Sequence, residues 1–287
     1  MGALAHLVAG AVPDRVDELL ALDAAVRAPL PLSTRVGVVG TGSGVGCSVV
    51  AGLLAATLAA RRPGRVLAVD ASAGGRSVLW HAGCTEPARS TPAQHAARRA
   101  AQSGADAVAG LVRTPGGVHC LDLTEDGTAP DRTWQAAVGP VSRFFDVVVT
   151  DHGVRTARAA GPVAATASVV CVVAEADRRG WQQGVDLASG FAAAGLPVVL
   201  AVDATARRAP AWCATAVRIS PLSVVVVPHD RAHDAPQPVP ARNLRPATTR
   251  AALRLAAAVL AASQDGRTVP GATATDGAAR TGRRVAS

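Results

Sequence analysis

Seven short valine-rich runs, each separated from the next by intervening chain, constrain the fold more than any other feature. They are Val36–Gly40, Val66–Asp70, Val118–Leu123, Asp146–Asp151, Ser168–Ala174, Pro197–Asp203 and Ser223–Val227. Most are apolar at consecutive positions rather than at every second one. A strand apolar on both faces needs cover on both faces, which is the condition of a strand inside a parallel sheet. Between and after them, Ser48–Arg61, Pro92–Val112, Asp131–Phe144, Arg178–Ala194 and Ala247–Ser263 have the length and period of helices. This alternation predicts an α/β fold, a doubly wound and mostly parallel sheet with helices on both faces.

The chain of 287 residues is long enough to bury one such core. Residues 1–33 read as an N-terminal helical extension and linker. Asp14 is its expected N-cap, Val16, Leu19, Leu20, Leu22 and Val26 its apolar face, and Pro29-Leu30-Pro31 its end. Residues 34–263 hold the α/β domain. Residues 264–287 are mostly Gly, Thr, Ala and Arg and predict a disordered tail. Aromatic residues make up only 2%, so Ala, Val and Leu must build the core. The four tryptophans, Trp80, Trp134, Trp181 and Trp212, read as packing residues, with a contact surface as the alternative for Trp80.

Net charge is +8, and all 29 Lys+Arg residues are arginine. They stand mostly as singles or pairs, the pattern of a solvated surface. Arg242, Arg245, Arg250 and Arg254 are the strongest local group and leave non-specific DNA binding open as a minor reading. The five cysteines are odd in number and contain no CxxC pair, against a disulfide framework or a zinc site. Cys120 and Cys171 lie in apolar runs as small core residues. His81, His119, His152 and His229 have no metal-ligand spacing. Neither a leader segment nor a membrane span is read, so the expected location is cytoplasmic, with membrane association only through partners.

The first valine run leads into a glycine-rich turn, Gly40-Thr-Gly-Ser-Gly-Val-Gly-Cys-Ser-Val49, and then a helix. Such a turn aims backbone N–H groups and a helix N-terminus at phosphate oxygens, and its glycines allow the tight path. The residual nucleotide-binding set is therefore Gly42, Ser43, Gly44, Val45, Gly46, Cys47, Ser48 and Val49. Ser48 is placed to ligate Mg²⁺, with Asp151 and Asp70 at strand ends as further metal candidates. A working phosphate loop carries lysine just before this serine, to neutralise charge on the β- and γ-phosphates. Here that residue is Cys47. Its thiol reads as a small replacement residue, with a redox thiol as the sharper alternative.

These segments together resemble the MinD/ParA family of deviant P-loop ATPases, over roughly Arg35 to Ser263. The resemblance is nearest to actinobacterial MinD-like proteins associated with type VII secretion. It implies two loop lysines, where this chain has Gly42 and Cys47, and a water-orienting aspartate, where it has Ser72. Asp70 ends the matching second strand, and Asp151 matches the carboxylate that holds Mg²⁺ through water. Asp203 stands where the family often has an adenine-reading Asn, and Val227-Pro-His-Asp230 resembles a turn near the base. The resemblance thus implies a P-loop NTPase fold with a degenerate Walker A, a pseudo-ATPase binding ATP or ADP and Mg²⁺ weakly or not at all. It also implies protein partners in secretion or polar localisation, and leaves a homodimer open. The competing reading is an atypical ATPase whose missing cation comes from a partner chain.

Overall fold

A computed structural model of the chain describes residues 2–72, 76–89, 91–124, 130–204, 209–239 and 243–268. Helix α1 (Gly2–Arg27) leads to strand β1 (Thr34–Gly40), the glycine-rich turn and helix α2 (Cys47–Arg61). Then come β2 (Val66–Asp70), the single turn α3 (Val78–His81), β3 (Ala88–Arg89), α4 (Pro92–Arg99), α5 (Gly104–Val108), β4 (Val112–Arg113) and β5 (Val118–Asp122). The chain continues through α6 (Pro130–Ala137), β6 (Val147–Val154), α7 (Ala160–Thr166), β7 (Val169–Glu175) and α8 (Arg178–Ala193). It closes with β8 (Val198–Ala204), α9 (Ala211–Ile219), β9 (Ser223–Pro228) and α10 (Pro246–Thr268).

The strands form one sheet in the order β3-β5-β2-β6-β1-β7-β8-β9, with β4 paired to β5. All pairs are parallel except β4 with β5. The doubly wound α/β expectation is therefore met. Alternate residues of each central strand serve opposite faces, as the pleat requires. Val66, Ala68, Val147, Val149, Cys171 and Val173 join α2, α3 and α10 in one core. On the opposite face Val170, Val172 and Leu200 pack with Phe191 of α8, and Leu67, Val69 and Val148 pack with Trp134 of α6. Both faces are covered, which accounts for the unbroken apolar runs.

Several sequence-based boundaries need correction. The helix expected over Pro92–Val112 is two short helices and a strand. Thr91 with Gln94, and Ser103 with Asp106, each form a capping box that restarts the backbone. The helix expected over Asp131–Phe144 stops at Ala137, before Gly139-Pro140, and resumes as a 3-10 turn at Ser142–Phe144. Helix α1 runs through Asp14 instead of starting there, since the Ala- and Leu-rich residues before it also favour helix. Helix α10 continues to Thr268, so residues 264–268 are helical, and 269–287 lie outside the described residues. The strand expected over Asp146–Asp151 extends to Val154.

The end of α1 is tied into the domain. Val26 is fully buried and packs in the same core as α2 and α10. The buried Arg62 guanidinium donates to the carbonyls of Val26 and Ala28 and pairs with Asp146 at 3.3 Å. One side chain thus fixes the α1 exit against the entry to β6.

Candidate functional site

Parallel strands deliver their carboxyl ends to one edge, and a cleft forms outside that edge. The glycine turn follows β1 there. Its backbone is left-handed at Gly44 (φ 79°) and Gly46 (φ 85°), a path that side chains with a Cβ rarely adopt. Gly46 is also the N-cap of α2 and offers no side-chain cap. The turn closes on itself at Ser43–Gly44, and the amides of Cys47, Ser48 and Val49 precede the first bond of the helix, Val50 N–H to Gly46 O. These donors, set at the positive end of a 15-residue helix, form a cradle for anionic oxygen.

Asp151 on β6 lies beside Asp70 on β2 in register, and both are buried. The Asp151 carboxylate accepts from Ser48 Oγ at 2.5 Å and from Cys47 Sγ at 3.2 Å. It also accepts from the Gly153 amide at 2.9 Å. Asp70 accepts from the amide and hydroxyl of Ser72, at 2.9 and 2.8 Å. The hydroxyl of Ser72 is therefore turned back onto its own strand and away from any water it might orient.

The cleft has a volume of about 480 Å³. The whole loop from Gly42 to Val49 lines it, with Ser72 and Gly153 beneath. Its far end is made by Asp203 of β8 and by Val227, Pro228, His229 and Asp230 at the end of β9. Arg76 and His81, from the segment after β2, and His233, from the turn after β9, close its side.

No family model matches the chain, and no curated protein matches it. The solved structures do. A cell division ATPase MinD from Pyrococcus furiosus superposes with a TM-score of 0.59 at 20% identity, over 78% of this chain and 96% of that one. A ParA family ATPase from Chlorobium tepidum TLS gives 0.58 at 13% identity, over 78% and 98%. The septum site-determining protein MinD complexed with Mg-ADP from Pyrococcus horikoshii OT3 gives 0.53 at 15% identity, over 84% and 98%. The fold is MinD/ParA-like.

Within this MinD/ParA-like fold the sequence-predicted loop residues line the cleft, and the two carboxylates stand behind it, Asp151 bonded to Cys47 and Ser48 and Asp70 bonded to Ser72. Three donors already occupy Asp151, so a magnesium ion would have to displace Ser48 from it. Among the described residues, no group of three His, Cys, Asp or Glu side chains could hold a metal. Burial, and then the facing Asp151 carboxylate, push the Cys47 thiol well up. That is the reverse of an activated thiol. Burial likewise raises Asp70, against the lowering effect of its two Ser72 donors. Asp203 is raised to about 7 by burial and by Glu175, its register partner on β7. His81 is lowered to about 4, by burial and then by His233 and Arg76, and so is neutral near pH 7.

The cleft also contains residues that sequence reading missed. Arg76 and His233 come from segments without strand or helix periodicity, and only the rule that sites lie beyond strand ends points to them. His81, which has no metal-ligand spacing in the sequence, packs edge-on against His233 with ring centroids 5.5 Å apart. Of the arginine group near the C-terminus, Arg254 pairs with Glu18 at 2.6 Å, and Arg242 lies outside the described residues. Trp80 is half-buried, while Trp181 and Trp212 meet edge to face with ring centroids 6.0 Å apart. Among the described residues, no helix is long and apolar enough to cross a membrane.

His152, next to Asp151, is buried, and desolvation followed by Arg155 lowers it to about 3. The unfolded chain takes up this proton at about pH 6.5. Between those values the unfolded state binds more protons, so stability rises with pH and is lost on acidification. His152→Gln is expected to flatten the stability slope between pH 4 and 6 by up to about 1.4 kcal/mol per pH unit. Urea titrations at several pH values check this.

Proposed function

We propose that this protein keeps a MinD/ParA-like phosphate cradle, has given up nucleotide hydrolysis, and works as a scaffolding or localisation partner of other proteins. The observation that carries the reading is Cys47. At the position where a phosphate loop needs a cation, a neutral thiol turns away to Asp151. A thiol cannot neutralise charge that develops on a transferring phosphoryl group. Ser72, bound back onto Asp70, supplies no carboxylate to orient water. The donors present fit phosphate oxygens, and Ser48 and Asp151, bonded to each other at 2.5 Å, would have to part before they could hold Mg²⁺.

Charge in the cleft supports weak binding of ATP. Asp203, Asp230 and Asp234 line it against a single arginine, Arg76, among the described residues. A partner role in secretion or polar organisation is what the resemblance to actinobacterial MinD-like proteins associated with type VII secretion suggests. Loss of one charge-assisted contact lowers affinity roughly ten- to a hundred-fold. Titration with a fluorescent ATP analogue is therefore expected to show binding weaker than micromolar and unchanged by Mg²⁺. Micromolar binding that tightens with Mg²⁺ would contradict the proposal and favour an atypical ATPase.

A further inference from the structure

The far end of the cleft carries a buried carboxylate with no hydrogen-bonding partner for its side chain among the described residues. Asp203 ends β8, is only 3% exposed and still lines the cleft. The neighbouring carboxylate, Glu175, adds repulsion and no donor. Burying such a group without donors is costly, and the cost is offset when a ligand brings the donors.

The position of Asp203 sets the ligand's length. Strands β1, β7 and β8 are neighbours, so Asp203 lies two strand spacings from the glycine turn, roughly 10 Å across the sheet edge. Register keeps the two ends nearly level. Gly40 pairs with Val173, and Asp203 pairs with Glu175 two residues further along. A ligand held at both ends has an anion at the amide cradle and a hydrogen-bond donor group a nucleoside's length away. Val227 and Pro228 wall that end with apolar surface suited to a flat ring.

The donor pattern sets the ring. Above about pH 7 Asp203 is ionised, and an ionised carboxylate only accepts hydrogen bonds. The Watson–Crick edge of guanine presents two adjacent donors, N1–H and the 2-amino group. The same edge of adenine presents one donor and one acceptor, and that acceptor would face the carboxylate oxygen. We propose that Asp203 is a base-reading residue and that the nucleotide this cleft accepts is a guanine nucleotide. The proposal rests on the reading of the glycine turn as a retained phosphate cradle.

The test is equilibrium titration of the full chain at pH 8.5, where Asp203 is ionised, with ribose-labelled fluorescent GDP and ADP, with inosine diphosphate as competitor, in EDTA. Native protein is expected to bind GDP at least about tenfold more tightly than ADP. It should also prefer GDP to inosine diphosphate, which lacks the 2-amino group. Asp203→Asn, which offers one donor and one acceptor, is expected to bring the GDP-to-ADP ratio below about threefold, with an unchanged circular dichroism spectrum. Equal or tighter ADP binding, a ratio unmoved by Asp203→Asn, or no nucleotide binding at millimolar concentration each overturns the proposal. Phosphate release from GTP or ATP would overturn the non-hydrolysing reading and leave the base preference standing. Equal GDP and ADP affinities without hydrolysis would do the reverse.

Discussion

Replacing Asp203 by asparagine raises the folding stability of the chain at pH 8, and the gain vanishes below about pH 4. The sign follows from where the proton is held. In the folded protein Asp203 keeps its proton up to about pH 7, because burial and Glu175 oppose its charge. The unfolded chain releases it near pH 3.9. Between those values the folded state binds more protons, so this group makes stability fall as pH rises. Above about pH 7 the full cost is present, up to about 4 kcal/mol. Asparagine has the same shape without the charge and removes most of that cost. Urea titrations of both proteins at pH 4, 6 and 8 read the difference, which also cancels the opposite acid-side effects of His81 and His152. Equal stability at pH 8 would show that the carboxylate is satisfied in the folded protein. A gain in stability coupled to a loss of base preference is the trade-off expected where a site keeps an unfavourable group for binding.

Trp134→Ala is expected to cost about 3–5 kcal/mol, a large fraction of the stability of a typical domain. Trp134 is 1% exposed and fills the space between α6 and the strands β2, β5 and β6. Its indole N–H donates to Thr150 Oγ1 at 3.0 Å. In a chain built from Ala, Val and Leu, few neighbours are large enough to relax into the cavity. Trp134→Phe keeps most of the volume and leaves the Thr150 hydroxyl without its donor, for a smaller loss of about 1–3 kcal/mol. Because Thr150 immediately precedes Asp151, both variants bear on how firmly the carboxylate is held beneath the phosphate loop. Chemical denaturation at pH 7 measures both. A loss under 1 kcal/mol for Trp134→Ala would mean that this face is loosely packed.

Much of this architecture was legible in the chain. All seven valine runs are strands, because continuous apolar sequence is the direct signature of a sheet covered on both sides. Strands β3 and β4 were not legible, since two residues each carry no periodicity. The order of strands was not legible either, because it depends on pairings between distant segments. The break within Pro92–Val112 did have a local signal in Ser103 and Asp106, a cap followed by an acid three residues on, overridden by the helical composition around it. At the site, the loop, Asp70 and Asp151 could be placed by motif and by strand ends. What motif could not give was the bonding among them. That Cys47 and Ser48 both turn to Asp151 depends on a strand about a hundred residues away. Arg76 and His233 reach the cleft from irregular segments and are visible only once the sheet edge is assembled.

The most direct test of the account is phosphate release from ATP by the purified full chain in Mg²⁺. Release no faster than in buffer alone is expected, since no lysine stands in the loop and Ser72 is bound to Asp70. Steady, Mg²⁺-dependent release that is abolished by Asp151→Asn in a folded protein would contradict it.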